Sequence, residues 1–447
     1  MKAYFLLFLL IVAQTTGSRA QDKIPAALSL QQCIEIAISK NADAQRSGLS
    51  VERARIHWQQ ERAGLLPDIN AGVTHGINQG RSINPLTNSY VNEQVSFASP
   101  RLSGSLLLFN GLMQQKIIKQ YKLIYQSTVE EDKQAKDQLS LNVMMAYLEV
   151  LTNQELLSLL QTQQETTLKQ LERLEVLNKS GAIAPREYYD LKGQYANDQL
   201  NLLNAETTLE ESKIVLVQLL NIPYDKQIRL QQIQSEYFSL EYPESPSEVY
   251  QTALRQLSQV KAATLRKKSA DLQLRSARSA YFPSVYFNSS ISSNFSNSAR
   301  DQYNQAIPYF DQYSNNLSKS FSVSINIPLF NSFRTKNAVA LSKINQQENE
   351  TILQTTLTQL QQAVEQAYFN MQAAKGRYLS LTEQVQAYKE SFRTVEIRFN
   401  AGALTVVDYL IAKNNLDRAN MNLLTNRYDL IVRKKILDFY QGKGFEQ

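Results

Sequence analysis

The chain has a single cysteine, Cys33, which excludes an internal disulfide. Cys33 stands among Ile34, Ile36, Ala37 and Ile38 and reads as a small buried apolar residue of an early helix. Histidine is nearly as scarce. His57 falls in a helical stretch and His75 in a strand-like one, with no cysteine or acid at ligand spacing, so no metal site is expected. There is no nucleophile elbow, phosphate loop or pair of catalytic acids. An enzyme with a cofactor is therefore not indicated. Trp58 and the six methionines read as packing residues. Excess charge is also lacking. The formal net charge of +6 is small for 447 residues, and it supports no nucleic-acid partner.

Helix breakers are missing from long stretches. No Gly or Pro lies between Gly111 and Gly181, and no Pro follows Pro328. Their absence permits very long helices. Apolar residues such as Leu139, Val143, Ala146, Val150, Leu157, Leu160, Leu171 and Leu174 recur at threes, fours and sevens among Gln, Glu, Lys and Asn. The spacing predicts coiled-coil-like helices over 110–178 and 331–399, each roughly 100 Å long at 1.5 Å per residue. Their remaining faces are polar, so they run through water.

What is present is present twice. Ala54 matches Ala270 and Pro67 matches Pro283, both 216 apart. Phe109, Tyr147 and Gly181 match Phe330, Tyr368 and Gly402, all 221 apart. One unit covers 21–221 and the other 247–440, joined by a proline-containing linker over 222–246 and followed by a tail over 441–447. Each unit reads as a helix, two strands, a long helix, a tight turn and a return helix. The first helix is expected over 28–66, capped by Ser29 and stopped by Pro67. Strands are expected over 68–80, 95–109, 284–297 and 318–330, and return helices over 185–220 and 405–440. The strand pattern has period two. Phe321, Val323, Ile325, Ile327 and Leu329 alternate with Ser320, Ser322, Ser324 and Asn326. One apolar face and one small polar face, over lengths beyond the usual five or six residues, fit strands that cross a membrane. Tyr281, Phe282, Phe109 and Phe330 stand where an interfacial aromatic belt would lie.

The start of the chain, MKAYFLLFLLIVAQTTGSRA, has a basic residue, about ten apolar ones and small residues at 18 and 20, as a signal peptide over 1–20 would. Export and membrane strands have a consequence. Four strands would leave unsatisfied edges in lipid, and membrane barrels need at least eight, so the chain must assemble. A barrel continued by a helical tube makes a conduit. A non-conducting coiled-coil strut of the cell envelope is the competing reading.

Four elements of the sequence carry a family resemblance. They are the Pro67 and Ala277 to Pro283 stops, the LFNG at 108–111 with PLFN at 328–331, the segment RFNAGALTVVDYL at 398–410, and ILDFYQG at 436–442. In this order, and duplicated, they resemble the TolC-type outer membrane efflux proteins. The resemblance implies a mainly α fold with a long helical barrel, and a β-barrel shared in a homotrimer at four strands per chain. It implies an outer-membrane location in contact with lipid, and a passive exit duct for efflux or type I secretion. It further implies docking to a periplasmic adaptor and to an inner-membrane pump or secretion ATPase. The family's entrance acid falls on Asp408, with Glu187 and Asp190 at the matching places of the first unit, while Ile411 stands where a second acid would be. Thr405 and Asp408 also read as a helix-capping box, which explains the acid without a lumen. Gly181, Ala182, Gly402, Ala403 and Leu404 are the candidate adaptor contacts, Leu404 because an exposed leucine at a turn invites a partner.

Overall fold

Ser29 and Gln32 start the first helix as a capping box: the Gln32 amide donates to Ser29 Oγ (3.2 Å) and the Ser29 amide to Gln32 Oε1 (3.0 Å). The structure is a computed structural model, and it describes residues 27–83, 88–92, 94–226, 228–232 and 240–444. The expected signal peptide and the last three residues of the tail lie outside the described residues.

The helix expected over 28–66 is two helices, α1 (Leu30–Lys40) and α2 (Ala42–Ala63). Asn41 divides them. Its backbone turns extended (ψ 131°), and its Oδ1 accepts from the amides of Asp43 (2.9 Å) and Ala44 (3.4 Å). An Asn side chain that caps a new helix competes with continuing the old one. The first strand, β1 (Asp68–Asn78), follows Pro67; a hairpin of β2 (Arg81–Ile83) and β3 (Tyr90–Asn92) lies beyond it, and β4 (Val95–Phe109) returns. Then come the long helix α3 (Met113–Lys179) and the return helix α4 (Pro185–Leu220). The second unit repeats the order with α5 (Pro246–Gln256), α6 (Ser258–Ser279), β5 (Ser284–Ser292), the short β6 (Phe295–Ser296), α7 (Tyr309–Asn315), β7 (Ser318–Asn326), α8 (Arg334–Asn400) and α9 (Val406–Tyr440). Both long helices have 67 residues.

The long helices begin three residues later than the periodicity suggests. Gly111 and Leu112 are left-handed (φ +67° and +60°), as are Ser332 and Phe333 (φ +56° and +60°). This pair of left-handed residues turns strand into helix in both units. A Cβ on Gly111 would stand 2.8 Å from Phe282 Cβ, so the first unit needs glycine there. Strand β5 stops at Ser292 and β7 at Asn326, short of the expected 297 and 330. Pro328 cannot donate to a ladder beyond that point.

The strands pair antiparallel in the order β1-β4-β5-β7. The seam between units pairs Leu102 with Ile291 and Leu106 with Phe287. Facing residues share a side of the sheet, so the register sorts the two faces. Ile69, Val73, Leu106, Phe287, Phe321 and Val323 fall on one side. Asn70, Ser103, Ser105, Asn288, Ser290 and Ser322 fall on the other. The polar side is cross-linked, with Ser105 Oγ donating to Asn288 Oδ1 (3.2 Å) and Asn288 Nδ2 to Ser324 Oγ (3.0 Å). Within the chain β1 and β7 are edges, and all nine residues of β7 are exposed. Among the described residues no helix is long and apolar enough to cross a membrane.

Helix α3 is the hub, packing on α2, α4, α6 and α9. Its middle anchors the main core. Tyr147 is buried, and its hydroxyl donates to the carbonyls of Gln231 (2.7 Å) and Leu28 (3.1 Å). Cys33 is buried in the same core, and burial pushes its thiol up to about 12, so it stays protonated and inert. Trp58 stacks on Tyr125 (5.8 Å, 10°), a packing role.

Candidate functional site

The far ends of the helices, opposite the strands, hold the residues singled out by sequence. Each long helix ends in a left-handed glycine, Gly181 at φ +73° and Gly402 at φ +72°. The next amide reaches back into the helix: Ala182 donates to the Leu177 carbonyl (2.9 Å) and Ala403 to the Arg398 carbonyl (2.8 Å). This is the six-to-one bond of a Schellman ending. Nothing lies within 4 Å of a Cβ built on either glycine. Gly181→Ala and Gly402→Ala should therefore each cost only the left-handed backbone penalty, about 1–2 kcal/mol, seen as equal drops in a urea midpoint. A much larger loss at either position would mean that the turn packs against something.

Gly181, Ala182, Gly402 and Ala403 are exposed. Leu404 is not the exposed residue expected. It is half-buried and packs, with Ile183 of the other turn, on a core of Leu174, Leu191, Phe399, Val406 and Tyr409. Tyr409 stacks on Phe399 (4.8 Å between ring centres). Arg173 Nη2 donates to the Asn400 carbonyl (2.9 Å), so the ends of the two long helices are joined by a hydrogen bond as well as by this core. Exposed apolar side chains do occur nearby, at Tyr189, Val407 and Ile411.

Asp408 closes the capping box that its spacing suggested. Its Oδ2 accepts from the Thr405 amide (3.1 Å) and from Thr405 Oγ1 (2.7 Å), and its own amide donates to Thr405 Oγ1 (3.3 Å). These bonds, with the charge of Arg398, hold its carboxyl below the usual range. It is nonetheless exposed, and its Oδ1 makes no hydrogen bond among the described residues. Glu187 is half-buried in the first turn of α4, whose N-cap Ala184 makes no side-chain capping bond. Asp190 pairs with Arg186 (3.4 Å).

A polar cluster further along the return helices was missed in the sequence. Lys413 is only 3% exposed, and its Nζ lies 2.6 Å from Asp417 and 3.4 Å from Asp198 of the other unit. Gln194 Nε2 donates to Asp198 Oδ1 (2.7 Å) and Thr167 Oγ1 to Asp198 Oδ2. Asn414 completes the crossing by donating to Gln194 Oε1 (3.3 Å). Burial raises the Asp417 carboxyl above its usual range, opposed by Lys413 and reinforced by Asp198. The only local signal was the four-residue spacing of Lys413 and Asp417, common on any exposed helix. No group of three or more acids, histidines and cysteines that could hold a metal is present among the described residues.

The sequence profile of the family described as "Outer membrane efflux protein" matches the chain in two segments, 33–221 and 249–442. The chain belongs to the outer membrane efflux protein family. Members of that family are channels rather than enzymes, and this one is an outer-membrane exit duct of the efflux type. TolC of Escherichia coli is 22% identical over 415 residues, covering 92% of this chain and 82% of TolC. The pyoverdine export outer membrane protein OpmQ of Pseudomonas putida is 23% identical, covering 90% of this chain and 85% of its own length. The fold matches the crystal structure of the Campylobacter jejuni CmeC outer membrane channel with a TM-score of 0.77 at 17% identity, over 94% of this chain and 86% of CmeC.

Proposed function

We propose that three copies of the chain close one twelve-stranded barrel in the outer membrane and one helical tube below it. This duct then receives cargo passively from a periplasmic adaptor and an inner-membrane pump or secretion ATPase. The open sheet carries this reading. Edges β1 and β7 are free to pair with a neighbouring copy, and an open sheet with one apolar face is not stable in lipid. Closure would turn the Ser- and Asn-rich face onto an aqueous lumen, which a strut has no use for. At the other end, Asp408 both caps α9 and, in three copies, would contribute to a cation-attracting entrance, with Glu187 and Asp190 flanking it. The exposed Gly181, Ala182, Gly402 and Ala403 would meet the adaptor, with Leu404 setting the shape of the turn from beneath. The test is conductance in planar bilayers with hexaamminecobalt(III) added on the helix-tip side. The wild-type chain should conduct and be blocked, and Asp408→Ala should need at least about tenfold more blocker, given three charges lost from one ring. A silent chain would favour the strut. Unchanged block would remove Asp408 from the entrance.

A further inference from the structure

The last eight residues of α2 and α6 and the first eight of α3 and α8 are the helix ends nearest the strands, and their charge is one-sided. The first unit supplies Arg62, Lys116 and Lys119, the second Arg275, Arg278, Arg334 and Lys336, against the single acid Glu61. Arg62 and Arg278 occupy equivalent places in the two units, 216 residues apart. Six of the seven cations are exposed and Lys116 is half-buried. Among the described residues none of the seven makes an ion pair. Further from the strands acids are available and some cations use them: Arg266 pairs with Glu131 (2.5 Å) and Lys267 with Glu350 (3.2 Å). Instead of acids, the near-strand cations use rings and carbonyls. Arg62 lies over Trp58 (5.4 Å), Lys336 over Phe333 (5.5 Å), and Arg334 donates to the Asn331 carbonyl (3.2 Å).

We propose that these cations form a belt that binds the phosphate headgroups of anionic phospholipid in the leaflet facing the helices. The inference rests on the reading that the strands span the membrane. Eight helical residues cover about 12 Å, and the headgroup layer beyond a roughly 30 Å hydrocarbon core is about 5–8 Å deep, so the seven side chains fall within its reach. Lys and Arg near an anionic surface gain about 1 kcal/mol each, a gain that fades within a Debye length. Cations set against Trp and Phe at a membrane boundary keep their stems on apolar surface and their charge among headgroups. Seven cations against one acid in this zone, none of them held in an ion pair among the described residues, are what headgroup phosphates would select.

The test uses the full chain in phosphatidylcholine vesicles, with spin-labelled phosphatidylglycerol or phosphatidylcholine as the probe. Phosphatidylglycerol should associate about three- to fivefold more strongly at low salt. The preference should approach one in 1 M salt, and in the combined Arg62→Gln, Lys119→Gln, Arg278→Gln and Lys336→Gln variant. Replacing Lys119 and Lys336 by Arg should preserve it, which separates charge from misfolding. Equal association of both lipids with the wild-type chain, or an unchanged preference in the Gln variant, would overturn the belt. So would a Gln variant that keeps its lipid preference but shifts its reversal potential, since the cations would then face the lumen. Vesicle conductance is recorded in parallel: a conducting chain without lipid preference fails the belt alone, and a non-conducting one fails the duct as well.

Discussion

Lys413→Met is expected to destabilise the joined helix tips by about 3–5 kcal/mol, because it strands buried carboxylates without their cation. Among the described residues Lys413 is the sole cation within ion-pair distance of both Asp198 and Asp417, one from each return helix. The loss should depend on pH, and its sign follows from Asp417. A carboxyl raised by burial holds its proton more tightly in the folded chain than in the unfolded one. Stability is therefore lost as pH rises through the folded value and regained as pH falls. Lys413 opposes that shift, so its removal should widen the affected range upward. Urea unfolding at pH 5 and pH 7.5 should show a smaller deficit at the lower pH. Asp417→Asn, which leaves one cation with one acid, should change little. A Lys413→Met chain as stable as wild type at pH 7.5, or equally weakened at both pH values, would remove the cluster as a link between the units.

Val323→Arg should cost about 2–4 kcal/mol in lipid, the range for a cation on the lipid face of a barrel near the midplane. Its neighbour Ser322→Arg should cost far less, because the two side chains lie on opposite sides of β7. Val323 pairs with Phe287 on the apolar side, and Ser322 with Asn288 on the polar side. Unfolding by urea from vesicles would compare them. Equal costs would place both faces in the same medium and end the case for a lipid-facing side.

The strands, the long helices and the glycine turns were legible because each rests on a local rule. Period-two alternation marked the faces, the missing breakers marked α3 and α8, and Gly181 and Gly402 marked the ends. Asn41 was not legible, since no glycine or proline lies beside it to mark a break, and the helical reading ran through a residue that caps. Leu404 misled for a related reason. A leucine in a turn is exposed unless it finds a core, and here it packs on one that includes Leu191 and Leu174 of the other unit, 213 and 230 positions away in the chain. The Lys413 cluster likewise joins residues that only the fold brings together. At the candidate site, the capping box of Asp408 could be read from four consecutive residues. Whether that carboxylate also faces a lumen depends on neighbouring copies that no single chain contains.

The equal lengths of α3 and α8 have a mechanical consequence. Two staves of 67 residues, started by the same left-handed step and stopped by the same glycine turn, finish flush. One residue removed from a single stave would leave its end about 1.5 Å short and turned by about 100°, so Leu174 would be displaced from the core it shares with Tyr409. The length of the tube is therefore a gauge cut in duplicate, and any change of reach has to be made in both halves of the chain at once.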